Sequence, residues 1–198
     1  MSGVEFMEWV RISRETVYEG RVVDVLRDTV RITADGEERQ TKYDVVHHPG
    51  AAAIVALFDD GSVALIRQFR YAVGGTIWEI PAGTLDDAET YEACAERELA
   101  EETGYRAGSW TPLVAFYTTP GFCDEELRVF LAENLTEGDG HAEADEDLEV
   151  ERVPLVEALA WAATGKIRDA KTIAGLHAAR VHLEGAGRWP MTGEGRHR

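Results

Sequence analysis

The chain has 198 residues, of which 37 are acidic and 20 are basic, so its formal net charge at pH 7 is −17. A surface this acidic argues against nucleic acid and anionic membranes as partners, because both carry negative charge. The length suits one domain, or one domain with a small appendage, and a hydrophobic fraction of 44% excludes disorder over most of the chain.

The stretch from about residue 10 to residue 46 is predicted to form three β-strands. It consists of short segments rich in β-branched residues, and Asp35-Gly36 is a turn signal between two of them. Three strands bury little surface by themselves, and the edges of their sheet stay unpaired. We therefore expect residues 1–47 to form a small antiparallel β-sheet that dimerises, ahead of a main domain over residues 48–198.

Beyond His48-Pro49-Gly50 the pattern predicts strands interleaved with helices. We expect strands at residues 51–58, 63–70, 76–80, 113–117, 127–133 and 150–153. We expect helices at residues 90–103, 154–164 and 169–183, each followed closely by a glycine that ends it. Residues 136–147 are acidic and contain glycine, which indicates a loop. The predicted fold class is α/β (or α+β), a sandwich of helices around a sheet.

The sequence also predicts a reduced, cytoplasmic location. Cys94 and Cys123 form no disulfide framework, and Cys94 falls at an apolar position of a predicted helix, so we interpret it as part of the core. The N-terminus lacks the apolar segment of a signal peptide, and the longest apolar run, residues 51–58, is too short to cross a bilayer.

The helix predicted at residues 90–103 contains the first indication of a functional site. Glu98, Glu101 and Glu102 are spaced i, i+3 and i+4, which places three carboxylates on one helix face. Like charges at these spacings destabilise a helix by roughly 0.2–0.5 kcal/mol per pair. A solvated acidic face is one explanation, and a site for divalent cations with oxygen ligands is the other. Arg97 lies about 100° around the helix from Glu98, so we expect it to pair with Glu89 without entering such a site.

The surrounding residues make the second explanation the stronger one. They run Gly83-x5-Glu89-x7-Arg97-Glu98-Leu99-x-Glu101-Glu102-x-Gly104-Tyr105. This run resembles the box of the Nudix hydrolase family, G-x5-E-x7-R-E-U-x-E-E-x-G-U with U a bulky apolar residue, at every specified position. A chance match in a chain of this length is on the order of one in a million. The resemblance implies a Nudix α/β/α sandwich with a mixed sheet and hydrolysis of a diphosphate bond.

Flanking motifs resemble the ADP-ribose pyrophosphatase branch of that family. They are His48-Pro49-Gly50-Ala51, Arg67-Gln68-Phe69-Arg70, Trp78-Glu79-Ile80-Pro81-Ala82-Gly83, and Pro120 at sixteen residues after Gly104. The resemblance implies hydrolysis of a nucleoside diphosphate sugar, first of all ADP-ribose to AMP and ribose 5-phosphate. It also implies a homodimer in which the N-terminal strands help to bind the substrate of the neighbouring subunit. One departure is Tyr43-Asp44, where the branch often has Arg-Glu.

The resemblance further implies which residues hold the metal and do the chemistry. The metal ligands would be Glu98 and Glu102, helped by the Ala82 carbonyl and by Glu101, around Mg²⁺ with Mn²⁺ as a substitute. Such an ion bridges diphosphate oxygens and lowers the pKa of the attacking water. The general base, or a further metal ligand, is expected in the acidic loop, at Glu146 and next at Glu143. The structural positions of the box are Gly83, Glu89, Arg97 and Gly104.

Substrate-binding residues are predicted around the box. Arg67 and Arg70 are placed on the opposite side of a predicted strand from Gln68, so we expect both to face one way and at least one to clamp the phosphates. Glu79 is expected to accept hydrogen bonds from a ribose or a base. Trp9 can stack on adenine and Phe122 can line the sugar end. For each of these residues the alternative is an ordinary surface ion pair or ordinary packing.

Three other functions remain to be distinguished. The first is hydrolysis of another sugar nucleotide, such as GDP-mannose, by the same box. The box determines the diphosphate chemistry, but it determines neither the base nor the sugar of the substrate. A non-catalytic Nudix-like ligand sensor would be expected to lack box glutamates, and all of them are present. An acidic calcium-binding scaffold would be expected to contain an EF-hand loop, and the sequence has none.

Overall fold

The computed structural model describes residues 7–138 and 148–189. These residues form two compact units. One unit comprises the described residues up to Pro49 together with Tyr117–Glu126, and the other comprises Gly50–Phe116 and the described residues from Leu127 onward. Over the described ranges, no helix is long and apolar enough to span a membrane.

The N-terminal unit contains the predicted three-stranded antiparallel sheet. Its strands are β1 (Glu8–Glu19), β2 (Asp24–Ala34) and β3 (Glu37–His47), in the order β1-β2-β3. Asp35 and Gly36 have φ angles of 54° and 78°, the positive values that a two-residue hairpin turn requires. Leu26, Val30 and Ile32 alternate along β2 and form the buried face of this sheet. The predicted N-terminal sheet is confirmed.

The segment Tyr117–Glu126 belongs to the same unit, which the sequence did not predict. The backbone N–H of Val46 donates to the Phe122 carbonyl at 2.7 Å, and the N–H of Asp124 donates to the Val46 carbonyl at 3.1 Å. The Asp124 carboxylate also contacts Nδ1 of His47 at 2.8 Å. These bonds hold the segment against the end of β3.

The second unit contains seven strands and three helices among the described residues. The strands are β4 (Ala51–Ala56), β5 (Ser62–Arg70), β6 (Gly75–Glu79), β7 (Ala82–Thr84), β8 (Tyr105–Tyr117), β9 (Glu126–Glu137) and β10 (Glu149–Pro154). The helices are α1 (Tyr91–Thr103), α2 (Leu155–Thr164) and α3 (Ala170–Gly185). One sheet has the order β7-β4-β9-β8, with β4 parallel to β9 and antiparallel to β7, and the other has the order β10-β5-β6. The predicted mixed sheet is confirmed.

The central strand β4 divides the hydrophobic core into two layers. Every residue of β4 is buried, and successive side chains point to opposite faces of the sheet. Ala53 and Val55 pack in one layer with Leu176 of α3, whereas Ile54 packs in the other with Leu99 of α1. Helices therefore cover both faces of the mixed sheet, which confirms the α/β/α sandwich.

Strand β8 is much longer than predicted, and strand β7 was missed. The half-buried residues at the start of β8 show no apolar run, so only residues 113–117 were predicted from its thirteen residues. No strand was predicted at β7, because Pro81 and Gly83 commonly end strands. It is extended because Ala82 and Gly83 pair with Ala53 and Ala52 of β4, a partner supplied by the tertiary fold.

Candidate metal centre

Helix α1 begins and ends where the sequence predicts, which defines the positions of its carboxylates. The Thr90 side chain accepts a hydrogen bond from the Ala93 N–H, and Gly104 has a φ of 71° as its left-handed C-terminal residue. Glu102 lies on the buried side of the helix with 7% of its surface exposed, whereas Glu101 is exposed. The three glutamates that share a face in the sequence pattern are therefore not equivalent.

The Glu98 carboxyl group lies directly against the backbone of Gly83. A Cβ atom added at Gly83 would stand 1.8 Å from Oε1 and 1.9 Å from Cδ of Glu98. Only glycine leaves room for the carboxyl group in this place. The glycine that opens the sequence pattern and the glutamate fifteen positions later thus form one contact, which explains why the pattern contains both.

Glu102 reaches the same segment from the next turn of α1. Its Oε2 atom accepts a hydrogen bond from the Ala82 N–H at 2.9 Å. The segment is fixed from the other side, because Ile54 of β4 donates its N–H to the Pro81 carbonyl at 2.8 Å. Ala82 and the box residues Gly83, Glu98 and Glu102 are thus brought together.

Cys94 packs beneath this segment and confirms its interpretation as a core residue. Its side chain is fully buried, and its thiol donates to the Gly83 carbonyl at 3.4 Å. Burial, together with the negative charge of Glu98, raises the pKa of the Cys94 thiol to about 12. The thiol therefore stays protonated at neutral pH, which makes it a packing group and a poor metal ligand.

Arg97 pairs with Glu89 as predicted, but it also enters the carboxylate cluster. Its Nε and Nη2 atoms donate to the two oxygens of Glu89 at 3.0 and 2.8 Å. These bonds lower the pKa of Glu89 to about 2. Its Nη1 atom donates to Glu98 at 2.5 Å and to Glu101 at 3.1 Å. The expectation that Arg97 stays apart from the cluster is wrong, because its side chain is long enough to contact Glu98 and Glu101 on the same helix.

The oxygen groups at this place suit a hard divalent cation. Glu98 and Glu102 present carboxylates at the Ala82-Gly83 segment, and oxygen ligands of this kind favour Mg²⁺ or Mn²⁺ over zinc. In residues 7–138 and 148–189, however, no three acidic, histidine or cysteine side chains converge as a metal-binding group. The Arg97 guanidinium instead supplies the positive charge between Glu98 and Glu101.

The two candidates for the general base, Glu143 and Glu146, lie outside the described residues.

The two arginines of the Arg67-Gln68-Phe69-Arg70 motif face opposite sides of their sheet. Arg67 contacts Glu149 at 3.1 Å and the Trp78 ring at 5.9 Å, whereas Arg70 pairs with Glu79. The expectation that both face one way is wrong, since side chains alternate along a strand and residues three apart point in opposite directions. Only one of the two can contribute to any single site on this sheet.

Arg70 makes a two-pronged ion pair with a buried carboxylate. Its Nε and Nη2 atoms donate to the two oxygens of Glu79 at 2.7 and 2.8 Å. Burial raises the pKa of Glu79, and Arg70 and Lys171 outweigh this effect and lower it below its usual value. Since 1% of the Glu79 residue is exposed, its carboxylate holds Arg70 in this structure and does not face a ligand as expected.

Lys171 also pairs with Glu79, a contact that the sequence did not indicate. Its ammonium group pairs with Glu79 and, at 3.1 Å, with Asp169. Asp169 caps helix α3 by accepting from the N–H of Thr172 at 2.9 Å. A helix start near Asp169 was predicted, but the contact with Glu79 joins residues 92 positions apart and has no signature in the local sequence.

Trp9 and Phe122, the two predicted aromatic contacts, belong to the N-terminal unit. Trp9 lies in β1 with 52% of its surface exposed, and its ring packs 5.8 Å from that of Tyr43. Phe122 is 58% exposed and lines a cavity of about 410 Å³ with Tyr43, Tyr117 and Asp124. Within that unit, both rings have surface that is free of packing.

Comparison with known proteins gives one family match, two similar relatives and one similar structure. A NUDIX domain model matches residues 47–176. The ADP-ribose pyrophosphatase of Bacillus subtilis (strain 168) is 42% identical over 168 residues, which cover 84% of this chain and 89% of that protein. The GDP-mannose pyrophosphatase of Citrobacter koseri is 39% identical over 147 residues, covering 66% of this chain and 76% of that protein. A crystal structure of an ADP compounds hydrolase matches with a TM-score of 0.77 at 24% identity, covering 91% and 97% of the two chains, and supports the fold.

Proposed function

Because the chain belongs to the NUDIX family of hydrolases, we propose that it hydrolyses the diphosphate bridge of ADP-ribose to give AMP and ribose 5-phosphate, with Mg²⁺ as cofactor. The observation that carries the proposal is the joint placement of the Glu98 and Glu102 carboxylates at the Ala82-Gly83 segment. The extent of the similarity to the ADP-ribose pyrophosphatase of Bacillus subtilis supports the choice of substrate.

In this proposal each group of the site has a separate task. Glu98 and Glu102, with the Ala82 carbonyl and Glu101, would hold Mg²⁺, for which Mn²⁺ is a substitute. When bound, the ion neutralises the diphosphate and lowers the pKa of the attacking water. Arg97 and Glu89 hold the loop before α1 against the helix, which keeps Glu98 in place.

The water molecule and the phosphates need protein groups of their own. A carboxylate of the acidic loop, Glu146 or next Glu143, would take the proton from the attacking water. The water oxygen would form a bond to one phosphorus, and the bond from that phosphorus to the bridging oxygen would break. The bridging oxygen would leave with the other phosphate. Arg70 is suited to bind phosphate, because 40% of its side chain is exposed and the bonds to Glu79 occupy only Nε and Nη2.

A second candidate substrate is GDP-mannose or a related sugar nucleotide. The similarity to the GDP-mannose pyrophosphatase of Citrobacter koseri supports it, as does Tyr43-Asp44 in place of the Arg-Glu that is common in the ADP-ribose branch. The diphosphate chemistry would be unchanged, because the same carboxylates would hold the ion.

A panel of nucleoside diphosphate sugars, assayed with millimolar Mg²⁺ and analysed by chromatography of the products, tests the proposal. We expect AMP and ribose 5-phosphate from ADP-ribose, with kcat/KM at least about 10-fold above that for GDP-mannose, ADP-glucose and UDP-glucose. A reversed order in favour of GDP-mannose would establish the second candidate. Binding of ADP-ribose by folded protein without turnover of any member would indicate a ligand sensor and overturn the proposed activity.

Magnesium is expected to raise the melting temperature of the protein. An ion that binds only the folded state stabilises it by about 2.7 kcal/mol at a concentration 100 times its Kd. For a chain of this size, such a gain corresponds to a shift of roughly 5–10 °C, measurable by scanning calorimetry. NaCl at equal ionic strength is the control for general screening. A shift no larger with MgCl₂ than with NaCl would contradict a specific site.

We also propose that the protein is a homodimer formed through its N-terminal strands. Nearly every residue of the edge strand β1 is exposed, including the large apolar side chains of Ile12, Val17 and Tyr18. Apolar side chains on an exposed edge strand favour association with a second chain. In the proposed dimer, this strand, which includes Trp9, would help to bind the substrate of the neighbouring subunit.

Sedimentation equilibrium is expected to give twice the chain mass for the wild type and the mass of one chain for I12K/V17K. The matched control is V181K on helix α3, where a valine that is 61% exposed changes in the same way and the dimer should persist. A wild-type protein that sediments as a monomer at all micromolar concentrations would contradict the dimer.

A further inference from the structure

The ion pair between Arg70 and Glu79 is part of a chain of polar contacts that ends on helix α3. The Oε2 atom of Glu79 accepts from Nη2 of Arg70 at 2.8 Å and also from the ammonium group of Lys171. Lys171 is held in turn by Asp169 at 3.1 Å. One buried carboxylate oxygen is therefore shared by two cations.

Helix α3 anchors this series of polar contacts to the backbone beside the candidate metal centre. The Oδ2 atom of Asp169 accepts from the hydroxyl of Thr172 at 2.6 Å, and the Thr172 oxygen accepts from the Ile80 N–H at 2.8 Å. Ile80 follows Glu79 directly, so the contacts close into a ring between the end of β6 and the start of α3. Lys171 thus has a defined position, and 14% of its side chain is exposed.

The three charged groups differ in their access to a ligand. Glu79 is buried and Lys171 nearly so, whereas 40% of the Arg70 side chain is exposed. The hydrogen bonds to Glu79, and then the charges of Glu79 and Glu102, raise the pKa of Arg70. Arg70 also lies near the candidate metal centre, because its partner Glu79 is three residues before Ala82, whose N–H donates to Glu102. A substrate phosphate at that centre can meet Arg70, whereas Lys171 can act only through Glu79.

We propose that Lys171 is a positioning residue that makes Arg70 available to the substrate diphosphate. A guanidinium that turns towards a phosphate must give up part of its contact with Glu79. Without a second cation, that movement would leave a buried carboxylate unpaired, which costs several kcal/mol. Lys171 keeps Glu79 neutralised while Arg70 binds the phosphate, and Asp169 holds Lys171 in the required place. The inference rests on the proposed function for the identity of the ligand.

The test is a steady-state comparison of wild type, K171M, K171R and R70M with ADP-ribose and saturating Mg²⁺. In K171M, Arg70 still neutralises Glu79, and Asp169 keeps its hydrogen bonds from the Thr172 N–H and hydroxyl, so the fold should survive while the guanidinium is committed to Glu79. We expect KM to rise about 10-fold in K171M with kcat within about threefold, and K171R to restore KM. The matched control is R180M, which removes one positive charge from the same helix at an ion pair with Glu184 and should leave KM unchanged.

A double-mutant cycle separates this role from a purely structural one. If Lys171 acts by neutralising Glu79, E79Q/K171M should have a KM no more than about twofold above that of E79Q, because a neutral glutamine needs no second cation when Arg70 turns to the phosphate. R70M, which lacks the group that meets the phosphate, should raise KM at least as much as K171M. The inference would be overturned if E79Q and K171M raised KM by independent factors that multiply in the double variant. It would also be overturned if K171M left KM unchanged. If K171M does not fold, K171Q, which keeps a donor for Glu79 but no charge, carries the same test.

Binding of inorganic pyrophosphate, measured by calorimetry in Mg²⁺, distinguishes failure of this inference from failure of the proposed function. Wild-type protein that binds pyrophosphate about 10-fold more tightly than K171M supports the role of Lys171 even if ADP-ribose is not hydrolysed. Equal pyrophosphate affinities in the two proteins, with normal hydrolysis of ADP-ribose, would overturn the role of Lys171 alone.

Discussion

Replacement of Glu102 by glutamine is expected to lower kcat by at least about 100-fold while the protein stays folded. A factor of 100 corresponds to about 2.7 kcal/mol of transition-state stabilisation, which is the scale of a lost metal ligand. The amide oxygen of glutamine can still accept the hydrogen bond from the Ala82 N–H, so the contact that fixes the segment is retained. The change removes the charge and keeps the shape.

Glu96 provides a matched control for this variant. It is an exposed glutamate of the same helix, and E96Q makes the same change in net charge away from the Ala82-Gly83 segment. We expect E96Q to keep kcat within about twofold of wild type and E102Q to lose the magnesium-dependent rise in melting temperature. Turnover by E102Q near the wild-type rate at saturating Mg²⁺ would remove Glu102 from the metal site.

Helix α1 and the box residues show what local sequence can predict. The end of the helix at Gly104, the buried Cys94 and the pairing of Arg97 with Glu89 all follow from spacing along one helix and one short loop. Each of these features depends on residues fewer than fifteen positions apart. Helical periodicity and capping chemistry therefore suffice to predict them.

The contacts around Glu79 show what local sequence cannot predict. Glu79 was expected to meet a ligand because its motif leads into the box and was expected to lie beside the cleft, and the structure buries it between Arg70 and Lys171. Lys171 comes from a helix that packs beside β6 only in the finished fold. The opposite orientations of Arg67 and Arg70, in contrast, follow from strand alternation, so the sequence contained that information.

The high negative charge of the chain makes the local arginines important. A net charge of −17 would repel a diphosphate in solution at low ionic strength. At the candidate centre, Arg97 offsets part of the negative charge of Glu98 and Glu101, and Lys171 compensates Glu79 beside Arg70. The cationic side chains are thus placed where the carboxylates are densest, which reduces the repulsion that an arriving phosphate would meet.

Replacement of Gly83 by alanine is expected to reduce kcat about as strongly as the loss of Glu102, by at least about 100-fold. The added Cβ would stand 1.8 Å from Oε1 of Glu98, so the two groups cannot both keep their positions. The atoms it meets belong to the end of a flexible side chain, and the least costly response is for the Glu98 carboxyl group to move away. The backbone pairing of β7 with β4 can then persist.

The G83A variant therefore separates the site from the fold. We expect its melting temperature without Mg²⁺ to stay within a few degrees of wild type, whereas the rise on adding Mg²⁺ should be largely lost. G185A is the matched control, because a Cβ at that last residue of α3 meets no atom within 4 Å and should change neither quantity. If G83A keeps wild-type kcat, the Glu98 carboxyl group is not needed where it now lies against Gly83. The metal ligands would then have to be sought elsewhere on α1.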